Sequence, residues 1–442
     1  MKETPTPQRA YASTSPPAPM PVPMLDLKRQ YRPLHRELLD AVAAVLETQQ
    51  FILGEPVAAF EKAAAAQLGV THAVGCSSGT DALWLALAAA GIGPPPHGPG
   101  PVRGDPGPPP HGLGPVRGDP GPPPHGPGPV RGDPGPGMAV VTSPFSFFAS
   151  VSAILRAGAT PVLADIEPTT FNLDPSAVET VLNGPRGAAV RAILPVHLYG
   201  QPVEWTAFAR LSQEHGLKLI EDAAQAWGAE WNGVKVGALG ELAAFSFYPT
   251  KNLSAAGDAG MVTTNSEELA ERVKMLRQHG MRRRYYHDEL GWNARMDGFQ
   301  GAILNVKLKH IAGWNSARRA VARRYHALFH AAGLVETGPY PTHGVVLPHE
   351  VPGSHHVWHQ YVLRTNRRDP LRAFLTSRKI GSEIYYPVPL HLQEAFKGLG
   401  YAEGSFPVAE RAAREVLALP IFPELREDEQ QTVVNAIAEF LS

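Results

Sequence analysis

The sequence predicts an α/β protein with a mainly parallel sheet in a large domain and a smaller part at the C-terminus. Three observations predict it. Short apolar runs alternate with helical patterning from Met138 to Met261. Two chemistry-bearing residues, Asp222 and Lys251, each fall just past the end of such a run, where ligands gather in open parallel sheets. A long helical pattern with many Lys and Arg, about 299–329, then leads into a C-terminal portion that closes with an apolar-patterned segment at 427–440.

Each element follows in order. Residues 1–23 are rich in Pro, Thr and Ser, and such a composition cannot bury enough apolar surface to order itself, so a disordered tail is expected. Structure is expected to begin near Met24, with helices over 32–48 and 57–68. A polar turn, Cys76-Ser77-Ser78-Gly79-Thr80, runs into a helix over 81–90 that Gly91 ends. Strands are expected over 139–142, 160–164, 191–196, 217–221, 243–247 and 260–264, with helices over 146–157, 175–182 and 203–215 between them. The domain boundaries read as 24–308 for the large domain and 309–442 for the small one.

Residues 94–135 interrupt this plan. A 14-residue unit, Pro-Pro-Pro-His-Gly-Pro-Gly-Pro-Val-Arg-Gly-Asp-Pro-Gly, occurs three times, starting at Pro94, Pro108 and Pro122, with Leu113 the one change. Gly does not recur at every third position, so the tract is not collagen-like. Each copy carries one Arg and one Asp and is neutral. A disordered tandem expansion within a surface loop is expected, because long loop insertions cost little entropy.

Composition narrows the function. The 442 residues carry 40 Lys plus Arg against 41 Asp plus Glu, without the basic footprint of a nucleic-acid binder. The single cysteine, Cys76, excludes an internal disulfide and any metal or iron–sulfur site built from several thiolates. No apolar signal core follows Met1, and no run reaches the roughly 18 apolar residues that span a bilayer. A cytoplasmic protein that binds neither membrane nor nucleic acid is expected, with no metal.

The region 218–252 carries the chemistry. An acid past one strand, Asp222, a lysine past the next, Lys251, and a serine five residues earlier, Ser246, make the set that pyridoxal phosphate needs. The amine forms the imine, the carboxylate keeps the pyridine nitrogen protonated, and the hydroxyl binds phosphate. Gln225 is a candidate donor to the cofactor's phenolic oxygen. The turn at Gly79 and Thr80 opens a helix, and free N–H groups there bind phosphate, with Gly79 permitting close approach. Phe147, in Pro144-Phe145-Ser146-Phe147-Phe148, is the candidate to cover the pyridine ring, while Phe145 and Phe148 read as core. His197 reads equally as a crevice residue or a satisfied core histidine, and Cys76 as a small packed residue.

These residues and further motifs resemble the DegT/StrS-type sugar aminotransferases, from about Leu25 to the C-terminus without the 94–135 tract. The matching stretches are Phe51-Ile52-Leu53-Gly54, Ser78-Gly79-Thr80-Asp81-Ala82-Leu83, Glu221-Asp222-Ala223-Ala224-Gln225, Ser246-Phe247-Tyr248-Pro249-Thr250-Lys251-Asn252, Gly291-Trp292-Asn293-Ala294-Arg295-Met296-Asp297, and Tyr385-Tyr386-Pro387-Val388-Pro389-Leu390-His391-Leu392-Gln393. The resemblance implies the fold type I of pyridoxal-phosphate enzymes, with a seven-stranded sheet and a small α/β C-terminal domain. It also implies a homodimer with shared active sites, in which Asn293 reaches the neighbouring subunit's cofactor phosphate. Arg284, Tyr385, Tyr386 and His391 would lie near the nucleotide-sugar pocket. The implied reaction moves an amino group from an amino acid, expected to be L-glutamate, to a keto sugar nucleotide. A 3-keto sugar is favoured over amination at C4 and over dehydration on the same fold. Relatives with histidine in place of Lys251, or with extra cysteines, dehydrate instead. Gly298 and Gly301 depart from the family pattern, which has a larger residue and Ala there.

Overall fold

The computed structural model describes residues 21–93 and 137–442. The repeat tract and all but the last three residues of the expected tail lie outside the described residues. The chain opens with α1 (Leu27–Thr48), α2 (Gly54–Leu68), β1 (His72–Cys76) and α3 (Gly79–Ala89). It continues through β2 (Ala139–Thr142), α4 (Ala149–Arg156), β3 (Thr160–Leu163), α5 (Pro175–Asn183), β4 (Val190–Ile193), α6 (Trp205–His215) and β5 (Lys218–Asp222). Next come β6 (Glu230–Trp231), β7 (Val234–Lys235), β8 (Leu242–Ser246), β9 (Gly260–Thr264), α7 (Glu267–Leu276), β10 (Met281–Arg283) and β11 (Tyr286–His287). The remainder is α8 (Gly298–Leu308), α9 (Ile311–Ala331), β12 (Ser354–His355), β13 (Tyr361–Arg364), α10 (Arg368–Ser377), α11 (Pro407–Glu415), β14 (Val416–Leu419) and α12 (Glu427–Leu441).

Local chemistry sets the helix starts. The side chains of Ser78, Asp174 and Ser266 accept from the first-turn N–H groups of α3, α5 and α7, and Pro175 takes the first turn of α5, where a missing N–H costs nothing. Gly69 and Gly216 stop α2 and α6 in the left-handed conformation that glycine adopts freely.

Seven strands form the central sheet in the order β1-β9-β8-β5-β4-β2-β3. All neighbours are parallel except around β9, which runs against both β1 and β8. The strands are apolar on both faces, as a sheet covered by helices requires. Alternate residues go to opposite layers: Leu242 and Ala244 pack with Leu83, Ile154 and Val273, while Ala243 and Phe245 pack with Phe60, Trp227 and Leu304. A further cluster around Tyr325, Phe329, Tyr361, Leu375 and Phe422 joins α9, α10, the β13–β14 pair and α12, and takes in Phe145 and Tyr199. No described helix is long and apolar enough to cross a membrane.

Three differences from the sequence reading have physical causes. Order begins earlier than Met24: Val22 is buried and exchanges backbone hydrogen bonds with Lys379 and Gly381, so the segment is pinned as a bridge beside Ile380. The strand over 72–76 was not expected, since His-Ala-Val-Gly-Cys has little apolar run of its own; pairing with β9 creates it. The single helix expected over 299–329 is two, parted at Lys309-His310, because α8 packs against α1 and α2 whereas α9 turns toward the C-terminal cluster.

Gly298 and Gly301 are explained by the same packing. A Cβ on Gly298 would stand 2.1 Å from the Gln50 carbonyl oxygen, and one on Gly301 would stand 2.9 Å from the Val57 backbone. The glycines let α8 approach the α1–α2 connection more closely than a side chain permits.

Candidate active site

The site sits where the sheet's carboxyl edge meets the start of α3. Cys76, Asp222 and Ser246 close β1, β5 and β8, and Gly260 opens the antiparallel β9 beside them. Gly260 has no room for a side chain, since a Cβ would lie 2.2 Å from the Ser78 carbonyl oxygen. This close approach brings the Ser78-Gly79-Thr80 turn against Ser246. A Cβ on Gly79 would stand 2.5 Å from the Ser246 Cβ and 2.9 Å from its Oγ. Ser78 Oγ accepts from the Asp81 N–H, and the Ser78 carbonyl from the Ala82 N–H. The Gly79 and Thr80 N–H groups have no acceptor among the described residues. A cradle that only glycine keeps open, two free N–H donors and a hydroxyl fit an anion.

Asp222 is buried at the end of β5. Burial pushes its carboxyl above the ordinary value, while the Ser150 hydroxyl (2.7 Å), the Ala224 N–H (3.2 Å) and nearby Lys251 act in the opposite direction, toward the charged form. Ser150 in turn shares a 2.8 Å hydrogen bond with Ser146, which lies in the bend just before α4. A carboxylate steadied this way suits a protonated ring nitrogen better than it suits bulk water.

Lys251 follows β8 in a turn closed by a bond from its own N–H to the Tyr248 carbonyl. Burial lowers its amine to about 8, while Asp222 pulls the other way. A lysine so depressed holds a neutral, nucleophilic fraction near neutral pH. Its neighbour Asn252 anchors the turn. The Asn252 amide donates to Asn315 Oδ1 (2.9 Å) and to the Val357 carbonyl (3.0 Å), and its Oδ1 pairs with His359 Nδ1 (3.2 Å). Burial drives His359 well below its ordinary value, so its ring is neutral.

Gln225 is engaged at both ends, its Oε1 accepting from the Tyr199 N–H (2.6 Å) and its Nε2 donating to the Tyr386 hydroxyl (3.2 Å). Phe147 is 59% exposed, with its ring centroid 6.4 Å from that of Tyr386. Phe145 is buried as core, whereas Phe148 is exposed and stacks on Phe396 at 4.6 Å. The Tyr199 hydroxyl donates to the Tyr385 carbonyl, which ties the Tyr385-Tyr386 segment to the site floor; the peptide between these tyrosines is cis.

The structure thus brings Lys251, Asp222, Gln225, Tyr386 and Phe147 to one crevice and Gly79, Thr80 and Ser246 to one turn. The other expected residues have different partners within the single chain. Arg284 sits on the exposed β10–β11 hairpin, its guanidinium 3.2 Å from the Tyr285 hydroxyl. Asn293 is exposed and accepts from Arg295 Nε (3.0 Å). His391 is buried, its Nε2 2.9 Å from Glu410 Oε1, and its Nδ1 has no partner among the described residues. His197 is a core histidine: Nδ1 accepts from the Val203 N–H, which leaves the proton on Nε2 facing Glu221 at 3.1 Å. Glu221 also accepts from the N–H groups of Gly237, Leu239 and Gly240. Cys76 is buried and packed, its thiol pushed up by burial.

An acid and a depressed lysine at neighbouring strand ends, with an anion cradle beside them, belong to the pyridoxal-phosphate aminotransferases of fold type I. The chain belongs to the DegT/DnrJ/EryC1/StrS aminotransferase family, whose profile matches residues 33–97 and 132–438. A relative from Geobacillus stearothermophilus called pleiotropic regulatory protein is 44% identical, over 95% of this chain and 99% of its own. The dTDP-3-amino-3,4,6-trideoxy-alpha-D-glucose transaminase of Streptomyces venezuelae is 40% identical, over 95% and 96%. The crystal structure of DesV from S. venezuelae superposes with a TM-score of 0.80 at 39% identity, covering 96% of this chain and 99% of that one. Pyridoxal phosphate is the cofactor of this enzyme.

Proposed function

We propose that this enzyme aminates a nucleotide-linked 3-keto sugar, a UDP-hexose or hexuronate or a dTDP-6-deoxyhexose, with L-glutamate as donor. The setting would be amino-sugar or cell-surface polysaccharide synthesis in the cytoplasm. The pairing of Lys251 with Asp222 carries the catalytic part of this reading; the name of the transaminase from S. venezuelae supports position C3. The cofactor supplies a carbonyl to condense with amines and a ring that accepts electrons from the donor's α-carbon. Lys251 holds the cofactor through its amine and, once released, moves the proton taken from that carbon. Asp222, braced by Ser150, keeps the ring nitrogen protonated. Gln225 orients the ring's phenolic oxygen, and Phe147 covers one face. Gly79, Thr80 and Ser246 hold the phosphate.

The exposure of Asn293 and Arg284 supports a homodimer, in which Asn293 reaches the phosphate of the partner subunit's cofactor. Arg284, Tyr385 and Tyr386 then face the nucleotide sugar. His391, being buried, serves the pocket through the 385–393 segment that it anchors to Glu410. The large domain spans 24–308 and the small one 309–442.

A regulatory reading is prompted by the name of the relative from G. stearothermophilus. The complete donor set around Lys251 favours catalysis. Amine transfer from glutamate to a panel of 3-keto and 4-keto sugar nucleotides tests both. Turnover is expected with at least one 3-keto member. Turnover with 4-keto members alone overturns the C3 assignment, and none with any member overturns the catalytic reading.

A further inference from the structure

Arg156, at the end of α4, makes contacts that the reaction does not demand. Its Nη1 pairs with Asp81 Oδ1. Its guanidinium lies 4.7 Å from the Trp84 ring centroid and 5.4 Å from that of Trp292. The two indoles meet edge to face at 6.0 Å. The other oxygen of Asp81 accepts from the hydroxyls of Ser77 (2.5 Å) and Ser78 (3.1 Å). Asp81 therefore organises the same turn whose Gly79 and Thr80 N–H groups are free.

This arrangement contains a conflict. A carboxylate in the first turn of α3 is favourable for the helix, whose N-terminus carries partial positive charge. It is unfavourable for a phosphate bound at that N-terminus, because two like charges then share the site. The cation that offsets Asp81 is Arg156. The two indoles hold it in place, and neither ring competes for its charge as an anion would.

We propose that Arg156 is a positioning residue for cofactor binding: by neutralising Asp81 it lets that carboxylate shape the Ser77–Thr80 turn without repelling the phosphate. The inference rests on the reading that this turn holds the cofactor phosphate. It also accounts for the site of the two tryptophans. Trp292 precedes Asn293, so its contacts with Arg156 and Trp84 help to fix the segment that presents Asn293.

The test is the dissociation constant of the full-length protein, freed of cofactor, for pyridoxal phosphate and separately for pyridoxal, which lacks the phosphate. R156Q is expected to weaken pyridoxal phosphate about tenfold, the scale of one uncompensated charge near a protein surface. R156K keeps the charge and stays within about threefold of wild type. The double variant D81N/R156Q returns to within about threefold of wild type, because the repelling carboxylate is gone with its partner. D81N alone, which keeps a hydrogen-bond acceptor, binds no more weakly than wild type. Pyridoxal is bound alike by all of them. An unchanged constant in R156Q, or a double variant as weak as R156Q, overturns the proposal. Equal losses for pyridoxal and pyridoxal phosphate also overturn it, as they would mark a general loosening of α3 and α4. Should R156Q fail to fold, weaker binding by D81N alone overturns it too. A wild-type protein that takes up neither compound overturns the underlying site reading, and this inference with it.

Discussion

Lys251 is the residue on which the chemistry turns, and its neighbours show what a sequence can and cannot display. Its position past an apolar strand and 29 residues after Asp222 is visible in the chain itself. What fixes it is not: Asn315 and His359 lie 63 and 107 residues away from Asn252 and have no local signature. Ser150 likewise braces Asp222 across 72 residues. Ser146 lies in the bend before α4 and Ser150 in its first turn, and only the fold supplies the carboxylate that Ser150 meets. The motif around His391 likewise gave no sign of its buried pairing with Glu410, which lies 19 residues away. The depressed amine has a direct consequence. Only the neutral form of Lys251 adds to the cofactor's aldehyde, and deprotonation rises with pH. The rate at which cofactor-free protein takes up pyridoxal phosphate is therefore expected to climb with a midpoint of about 8. Stopped-flow absorbance from about pH 6.5 to about 11.5, which spans an ordinary lysine's titration as well, reads it. A midpoint close to 10.5 would show that burial does not act on this lysine.

Elements with a clean period were readable, and those made by partners were not. The parallel strands β2 to β5 are short apolar runs between turn signals, and they fall within a few residues of their expected places. The break between α8 and α9 is invisible in the pattern, because the helical period continues across it while the packing partners change. The glycines of α8 offer an element-scale test. Alanine favours a helix interior over glycine by about 1 kcal/mol. At Gly301 the added methyl meets the Val57 backbone, which cannot rotate away as a side chain can. G301A is therefore expected to destabilise by about 1–3 kcal/mol, the usual cost of overpacking. Denaturant unfolding measures it, and a stabilised G301A would mean that α8 has slack against α2.

At the scale of the whole molecule, the described residues that flank the repeat tract lie away from the phosphate turn. The ends that flank it meet on one turn, between α4 and β3. A Cβ on Gly93 would touch the Ala157 carbonyl oxygen at 1.9 Å, and the Met138 carbonyl accepts from the Thr160 N–H at 2.9 Å. Gly93 lies just beyond α3, at the end remote from the Gly79–Thr80 turn. Removal of residues 94–135 thus joins neighbours, and surface loops tolerate such changes in length. The shortened protein is expected to keep its melting temperature within a few degrees and its turnover within about twofold, and loss of either would give the tract a role in the fold or the reaction.

The central claim is that Lys251 and Asp222 form one pyridoxal-phosphate site that moves an amino group. Its most direct measurement pairs the visible absorbance of reconstituted wild type and Lys251→Ala with transfer of the amino group from glutamate to a 3-keto sugar nucleotide. Wild type is expected to show the band of lysine-bound cofactor and to turn over. Lys251→Ala is expected to lack the band and to lose at least about 1000-fold in rate, on the scale of removing a group that both binds covalently and moves the proton. A variant with the wild-type spectrum and turnover would contradict the account.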